Sequence, residues 1–248
     1  MAIYSENARW YDPATGNAVP EIMGVNGKLR PPNKRDAAKL GLVKSVSSYL
    51  KTLDKPALNV WIRNQTVMAC LTTSRLDGES DEAFIARIEA DASEQAKKAA
   101  ERGTNVHRAI QRHILGESYD QTYQPQVEAV RAELLKHGVD LMAGIPERSF
   151  VNVERGFAGC PDWRDATTVL DYKTRDTLET KQKAYPEQGL QLCGYALGLG
   201  IVNPRLGNVF IGMEPAACQV VWWEPEQVSA GTQAFESLVA MCKAMEKI

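Results

Sequence analysis

The chain has 248 residues, 44% apolar and 24% charged, with a formal net charge of −2, enough length and apolar content for one substantial core. No apolar run approaches the roughly 20 residues that would span a bilayer, and MAIYSENARWYD lacks the charged-then-apolar layout of a signal peptide, so a cytoplasmic protein is expected. Five cysteines, Cys70, Cys160, Cys193, Cys218 and Cys242, are odd in number and never at CxxC spacing, which argues against a disulfide framework or zinc site and for small core residues.

In chain order, residues 1–37 are rich in Pro, Gly and Asn and predict an extended arm or irregular lead-in. A helical rhythm runs from Ala38 to Thr66, interrupted at Pro56, which starts a new helix more naturally than it continues one. Between Asn26 and Arg63 nine Lys or Arg face two acids, whereas Asp77 to Glu94 carries seven acids and one arginine. The first stretch is a polyanion-facing surface or simply a solubilising one, and the second is a solvated acidic face. A long helix is expected over Glu82–Arg102, with Gly103 and Thr104 as a break and Thr104 capping a new helix, TNVHRAIQRHILG. In that helix Val106, Ile110 and Ile114 recur as a buried stripe, with His107 beside it.

After a helix over Gln126–His137 the texture turns to strand: RSFVNVERG, FAGCPDW and TTVLDYK follow one another closely and predict a meander. Pro186 opens the helix PEQGLQLCGYALGLG; NVFIGME and QVVWWE return to strand, and Pro225 opens a last amphipathic helix. This order predicts a single α/β domain: a mixed central sheet flanked by helices over 101–248, with an N-terminal arm and helical extension over 1–100.

The acid-x-lysine pattern at Asp171 and Lys173 proves little alone. Chance alone would give about two copies in a chain of this composition, and the second, Glu179 to Lys181, sits in a polar stretch with no strand to hold it. Asp171 and Lys173, by contrast, share one face at the end of the apolar run TTVL. Asp162 lies one hairpin upstream, and facing positions on antiparallel strands bring carboxylates about 4.5–5.5 Å apart, close enough to share a hard cation. A surface hairpin with an Asp–Lys ion pair would have the same residues.

Read together, these segments resemble a known family. GTNVHRAIQRHI is similar to the GTxxH helix of RecB-type nucleases in the PD-(D/E)xK superfamily, GCPDW to their GxxD strand, VLDYKT to their DxK strand, and QLCGY to their QxxxY helix. SVSSYLKTLDKPALNVW resembles the lead-in of stand-alone phage and mitochondrial-type DNA exonucleases in that group, so the likeness covers about Leu40 to Leu199.

The resemblance implies a restriction-endonuclease-like core and Mg²⁺- or Mn²⁺-dependent hydrolysis of DNA, single-stranded or with free ends, by an exonuclease of phage-type recombination, repair or degradation in the cytoplasm of a cell or a phage's host. It also implies His107, Asp162, Asp171 and the backbone carbonyl of Tyr172 as metal ligands, and Lys173 as the catalytic lysine. Gln191 and Tyr195 would contact nucleic acid or brace the site, Glu147 matches an acidic position at looser spacing, and Thr174 would help hold the strand end. The basic segment Asn26–Arg63 would track phosphates, with Trp61 or Tyr49 as stacking partners, although Trp61 also fits a core position in a pattern with Leu58 and Ile62. Only Cys218 and Cys242 follow the QxxxY helix, so no iron–sulfur cluster is expected; without GxxxxGK[ST], neither is coupling to ATP. An endonuclease of the same fold, or a DNA-binding module without cleavage, stays open.

Overall fold

The computed structural model describes residues 8–247. Its first part comprises β1 (Trp10–Tyr11), β2 (Ile22–Met23), β3 (Leu29–Arg30), α1 (Lys34–Leu40), β4 (Val43–Lys44) and α2 (Val46–Leu50). Two long helices follow, α3 (Pro56–Thr72) and α4 (Asp81–Ile114). The remainder is α5 (Gln124–Lys136), β5 (Ile145–Pro146), β6 (Phe150–Asn152), β7 (Phe157–Gly159), β8 (Trp163–Arg164), β9 (Thr168–Arg175), α6 (Pro186–Leu199), β10 (Arg205–Gly212), β11 (Ala217–Trp222) and α7 (Pro225–Met245).

The fold is mixed α/β, with a five-stranded central sheet in the order β11-β10-β9-β8-β5. β9 and β10 are parallel, from Thr168↔Arg205 to Arg175↔Gly212, and α6 supplies the crossover that a parallel pair requires. β11 and β8 flank this pair as antiparallel neighbours, and β5 pairs antiparallel with β8. One face buries Val169 and Leu206 with Leu192 of α6, Phe235 of α7 and Val46 of α2. The other buries Leu170, Tyr172 and Val209 with Ile110 of α4 and Leu134 of α5. Each large aliphatic side chain fully withdrawn from water in these two layers contributes roughly 1.5–3 kcal/mol. Both layers meet β9, so its alternating side chains are fixed from two sides.

Four sequence expectations change. The predicted break at Gly103 is absent: α4 runs unbroken through it, Thr104 Oγ1 donates to the Ala100 carbonyl at 3.1 Å instead of capping a helix, and Ser80 caps the start. A lone helical glycine costs only about 1 kcal/mol against alanine, and packing overrides it. Of the two readings of the lead-in, the extended arm fails: Trp10 and Tyr11 are buried and pair with Lys44 and Val43, while residues 1–7, which the expectation also covered, lie outside the described residues. The three-strand meander divides, since β6 and β7 form their own two-stranded ribbon and only β8 and β9 join the central sheet. Cys70 is exposed on α3 and is no core residue, whereas Cys193 and Cys242 are buried.

Candidate metal centre and adjoining cleft

Three acids lie level with one another across three neighbouring strands. Pairing of β8 with β9 places Trp163 opposite Leu170, and pairing of β5 with β8 places Pro146 opposite Trp163. One residue further along, Asp162 therefore stands beside Asp171 on one side and Glu147 on the other. The Glu147 N–H donates to the Asp162 carbonyl at 3.0 Å, and the Tyr172 N–H donates to Asp162 Oδ2. Glu147 adopts φ +46°, a left-handed conformation that costs a non-glycine residue about 1 kcal/mol or more and must be held by its surroundings.

α4 adds His107, whose Nδ1 lies 3.5 Å from Asp162 Oδ1 and whose ring meets Tyr172 edge-on with centroids 5.4 Å apart. Ligand atoms of His107, Glu147 and Asp162 all fall within 4.8 Å of one another, so the three could hold a metal ion. One imidazole nitrogen and two carboxylates suit a hard or borderline divalent cation, and the set contains no thiolate. The glycine before this histidine serves close approach: a Cβ on Gly103 would sit 2.9 Å from Thr174 Oγ1 at the end of β9.

Asp171 stands beside this trio, not within it. Lys173 Nζ lies 2.8 Å from Asp171 Oδ1 and 2.7 Å from Oδ2, and Asn208 Nδ2 donates to Oδ2 at 2.8 Å. Burial raises the Asp171 carboxyl above the ordinary range, opposed by the Lys173 ammonium and reinforced by Asp162. An anion withdrawn from water needs such fixed donors around it.

Gln191 and Tyr195 share one face of α6, with Gln191 Nε2 donating to Tyr195 Oη at 2.9 Å. Tyr195 is buried, its ring edge-on to Phe150, and burial followed by the nearby Asp171 charge raises its hydroxyl well above the ordinary tyrosine value. Gln191 lines the adjoining cleft and Tyr195 does not.

That cleft, about 560 Å³, opens beside Lys173 between α3, α4, α6 and the end of β9. Lys55, Arg102 and Arg175 line it together with Trp61 and Tyr185. Trp61 is 39% exposed and so does not occupy the core position its apolar pattern suggested, because α3 buries only Ala69. Tyr49 is buried, its hydroxyl donating to the Gly156 carbonyl at 3.2 Å, so it offers no ring face for stacking. The basic run does not form one stripe: Arg30 pairs with Asp36, and Lys34 and Lys44 reach Glu246, while Lys55 lines the cleft.

Sequence reasoning did not single out Asn208 or Trp223. The signal available was an asparagine in the middle of a strand whose neighbouring residues, Leu206, Val209, Phe210 and Ile211, are apolar.

No protein-family model and no curated protein matches the sequence. Among solved structures, an alkaline exonuclease from Laribacter hongkongensis is similar at 17% identity, over 60% of this chain and 87% of that one, with a TM-score of 0.29. A likeness this loose carries nothing about function. Among the described residues no helix is long and apolar enough to cross a membrane.

Proposed function

We propose that this protein is a divalent-metal-dependent deoxyribonuclease of the PD-(D/E)xK type, an exonuclease that acts on free DNA ends. The observation that carries the reading is the gathering of His107, Glu147 and Asp162 within 4.8 Å at the sheet end where Asp171 and Lys173 project. An isolated surface ion pair needs no histidine from a separate helix and no second and third carboxylate.

His107, Glu147 and Asp162 would hold the cation, with Asp171 alongside. Bound there, Mg²⁺ or Mn²⁺ supplies charge neutralisation at the phosphate and a more acidic water. Lys173, held by Asp171 and lining the cleft, would orient the attacking water or a phosphate oxygen there. Lys55 and Arg175 offset the charge of neighbouring phosphates, Arg102 being paired with Asp176 at 3.0 Å, and the exposed rings of Trp61 and Tyr185 suit the faces of unpaired bases.

The test is digestion of 5′- and 3′-labelled single- and double-stranded DNA beside a covalently closed circle, with and without Mg²⁺. The expected result is metal-dependent loss of linear DNA with the circle spared, abolished in purified, folded Asp171→Ala and Lys173→Ala. Nicking of the circle would make the protein an endonuclease of the same fold. Chelator-insensitive binding without cleavage would make it a DNA-binding module, and substantial activity in either variant would remove the site assignment.

A further inference from the structure

Asp171 is held from behind by two residues outside the motifs. Asn208 is fully buried on β10, directly across from Asp171 in the parallel register, and its Nδ2 donates to Asp171 Oδ2 at 2.8 Å. The other end of the same amide, Oδ1, accepts from Trp223 Nε1 at 2.9 Å. An indole N–H can only donate, so it must face the amide oxygen, and this leaves the amide NH₂ turned toward the carboxylate. An amide alone has two orientations of nearly equal shape, one of which would set its oxygen against the Asp171 anion. Trp223 removes that second orientation. The indole is itself fixed, since α6 approaches so closely that a Cβ on Gly189 would lie 2.8 Å from the Trp223 ring.

We propose that Trp223 and Asn208 are positioning residues for Asp171: the indole sets the polarity of the buried amide, and the amide fixes the rotation of the carboxylate beside the candidate metal centre. Neither touches the reacting atoms. The proposal rests on the nuclease reading of the site, because it assigns the relay a purpose at that carboxylate. A relay that only stabilised the fold would lower the melting temperature and leave kcat of the folded protein unchanged, whereas one that aims a carboxylate lowers kcat in the folded protein when the polarity is released and bulk is kept.

Two variants separate these cases. Asn208→Leu keeps volume and removes the donor; Trp223→Phe keeps most of the ring and removes only the N–H. Loss of a group that orients a metal-site residue costs roughly 10–100-fold in activity or metal affinity. The expected result is a fall of that size in kcat for Asn208→Leu and a smaller fall for Trp223→Phe, with KM for DNA unchanged in both. Because Trp223 acts only through Asn208, adding Trp223→Phe to Asn208→Leu should cause no further loss. Multiplying losses, or a KM that rises with kcat unchanged, would overturn the relay.

A second readout does not need turnover. In ¹H–¹⁵N spectra of EDTA-stripped protein, the Trp223 indole cross-peak should shift on titration with Mg²⁺ in the wild type and stay fixed in Asn208→Leu. An unmoved wild-type indole would overturn the relay even if the enzyme cleaves DNA. If the wild type cleaves nothing but the indole follows Mg²⁺ through Asn208, the nuclease reading falls and the relay stands.

Discussion

Lys173 Nζ lies within 2.8 Å of both carboxylate oxygens of Asp171, a pair in which the acid is almost wholly buried and the lysine side chain is 25% exposed. The two members therefore differ in what they contribute to stability. Lys173→Ala leaves a buried anion short of its cation and should destabilise the protein by about 2–3 kcal/mol near pH 7. Asp171→Asn frees a lysine that can reach water, and its melting temperature should stay close to wild type. The acid's carboxyl is raised by burial, so its ionised form weakens folding at neutral pH, and protonation on acidification relieves that cost. Removing Lys173 raises the carboxyl further, so the gap between Lys173→Ala and wild type should narrow as pH falls from 8 toward the ordinary carboxylate range. Thermal melts across that range check it, and a gap that widens on acidification would contradict the assignment.

Gly103 allows α4 to lie against the end of β9, where a Cβ would approach Thr174 Oγ1 to 2.9 Å. In an open helix Gly→Ala would add about 1 kcal/mol of stability. Here Gly103→Ala should instead lower both stability and cleavage, and Gly103→Val should do so more severely. In a Thr174→Ala background the same Gly103→Ala change should become stabilising. Chemical denaturation of the four combinations reads this directly, and additive effects would show that the close approach is unimportant.

Trp61 lines the cleft, is 39% exposed and lies outside both core layers, so truncating it should cost binding more than folding. Stacking of one base on an aromatic ring is worth about 1–3 kcal/mol. Trp61→Ala should weaken binding of a labelled single-stranded oligonucleotide in EDTA by roughly 5- to 150-fold, with little change in melting temperature. Fluorescence anisotropy provides the measurement, and equal affinity would remove Trp61 from the substrate path.

The α3–α4 connection holds an ion pair whose contribution depends on pH. The Arg87 side chain hydrogen-bonds Glu79, and with the Leu76 N–H this lowers the Glu79 carboxyl from 4.5 to about 2. Its contribution is therefore complete above about pH 4.5 and is lost as pH falls through about 2. Protection factors for the amides of residues 74–80, corrected for the intrinsic pH dependence of exchange, should fall in that window in the wild type, while Glu79→Gln should show the lower protection at every pH. A wild-type profile that is flat between pH 5 and 2 would count against the interaction.

Most elements are legible from local pattern because their causes are local. Pro56, Pro186 and Pro225 stand at helix starts, Gly200 ends α6 with φ +71°, and the apolar stripe of Val106 and Ile110 is buried as its spacing requires. The same locality explains the failures. Why position 103 carries a glycine involves Thr174, seventy-one positions away in sequence, and whether Trp61 is core depends on what packs over α3.

Local pattern along the chain fixes most of the elements and the order of the chemical residues: a histidine helix, an aspartate, an Asp-x-Lys strand end and a Gln/Tyr helix. Which of these share a centre follows from tertiary contacts alone. Strand register set Glu147, Asp162 and Asp171 at one level, helix packing delivered His107 to the first two, and the parallel β9–β10 pairing gave Asp171 the amide of Asn208. Propensity and periodicity act over a few residues, whereas a site is assembled by contacts between residues dozens of positions apart, whose distances follow from the packing of the whole core.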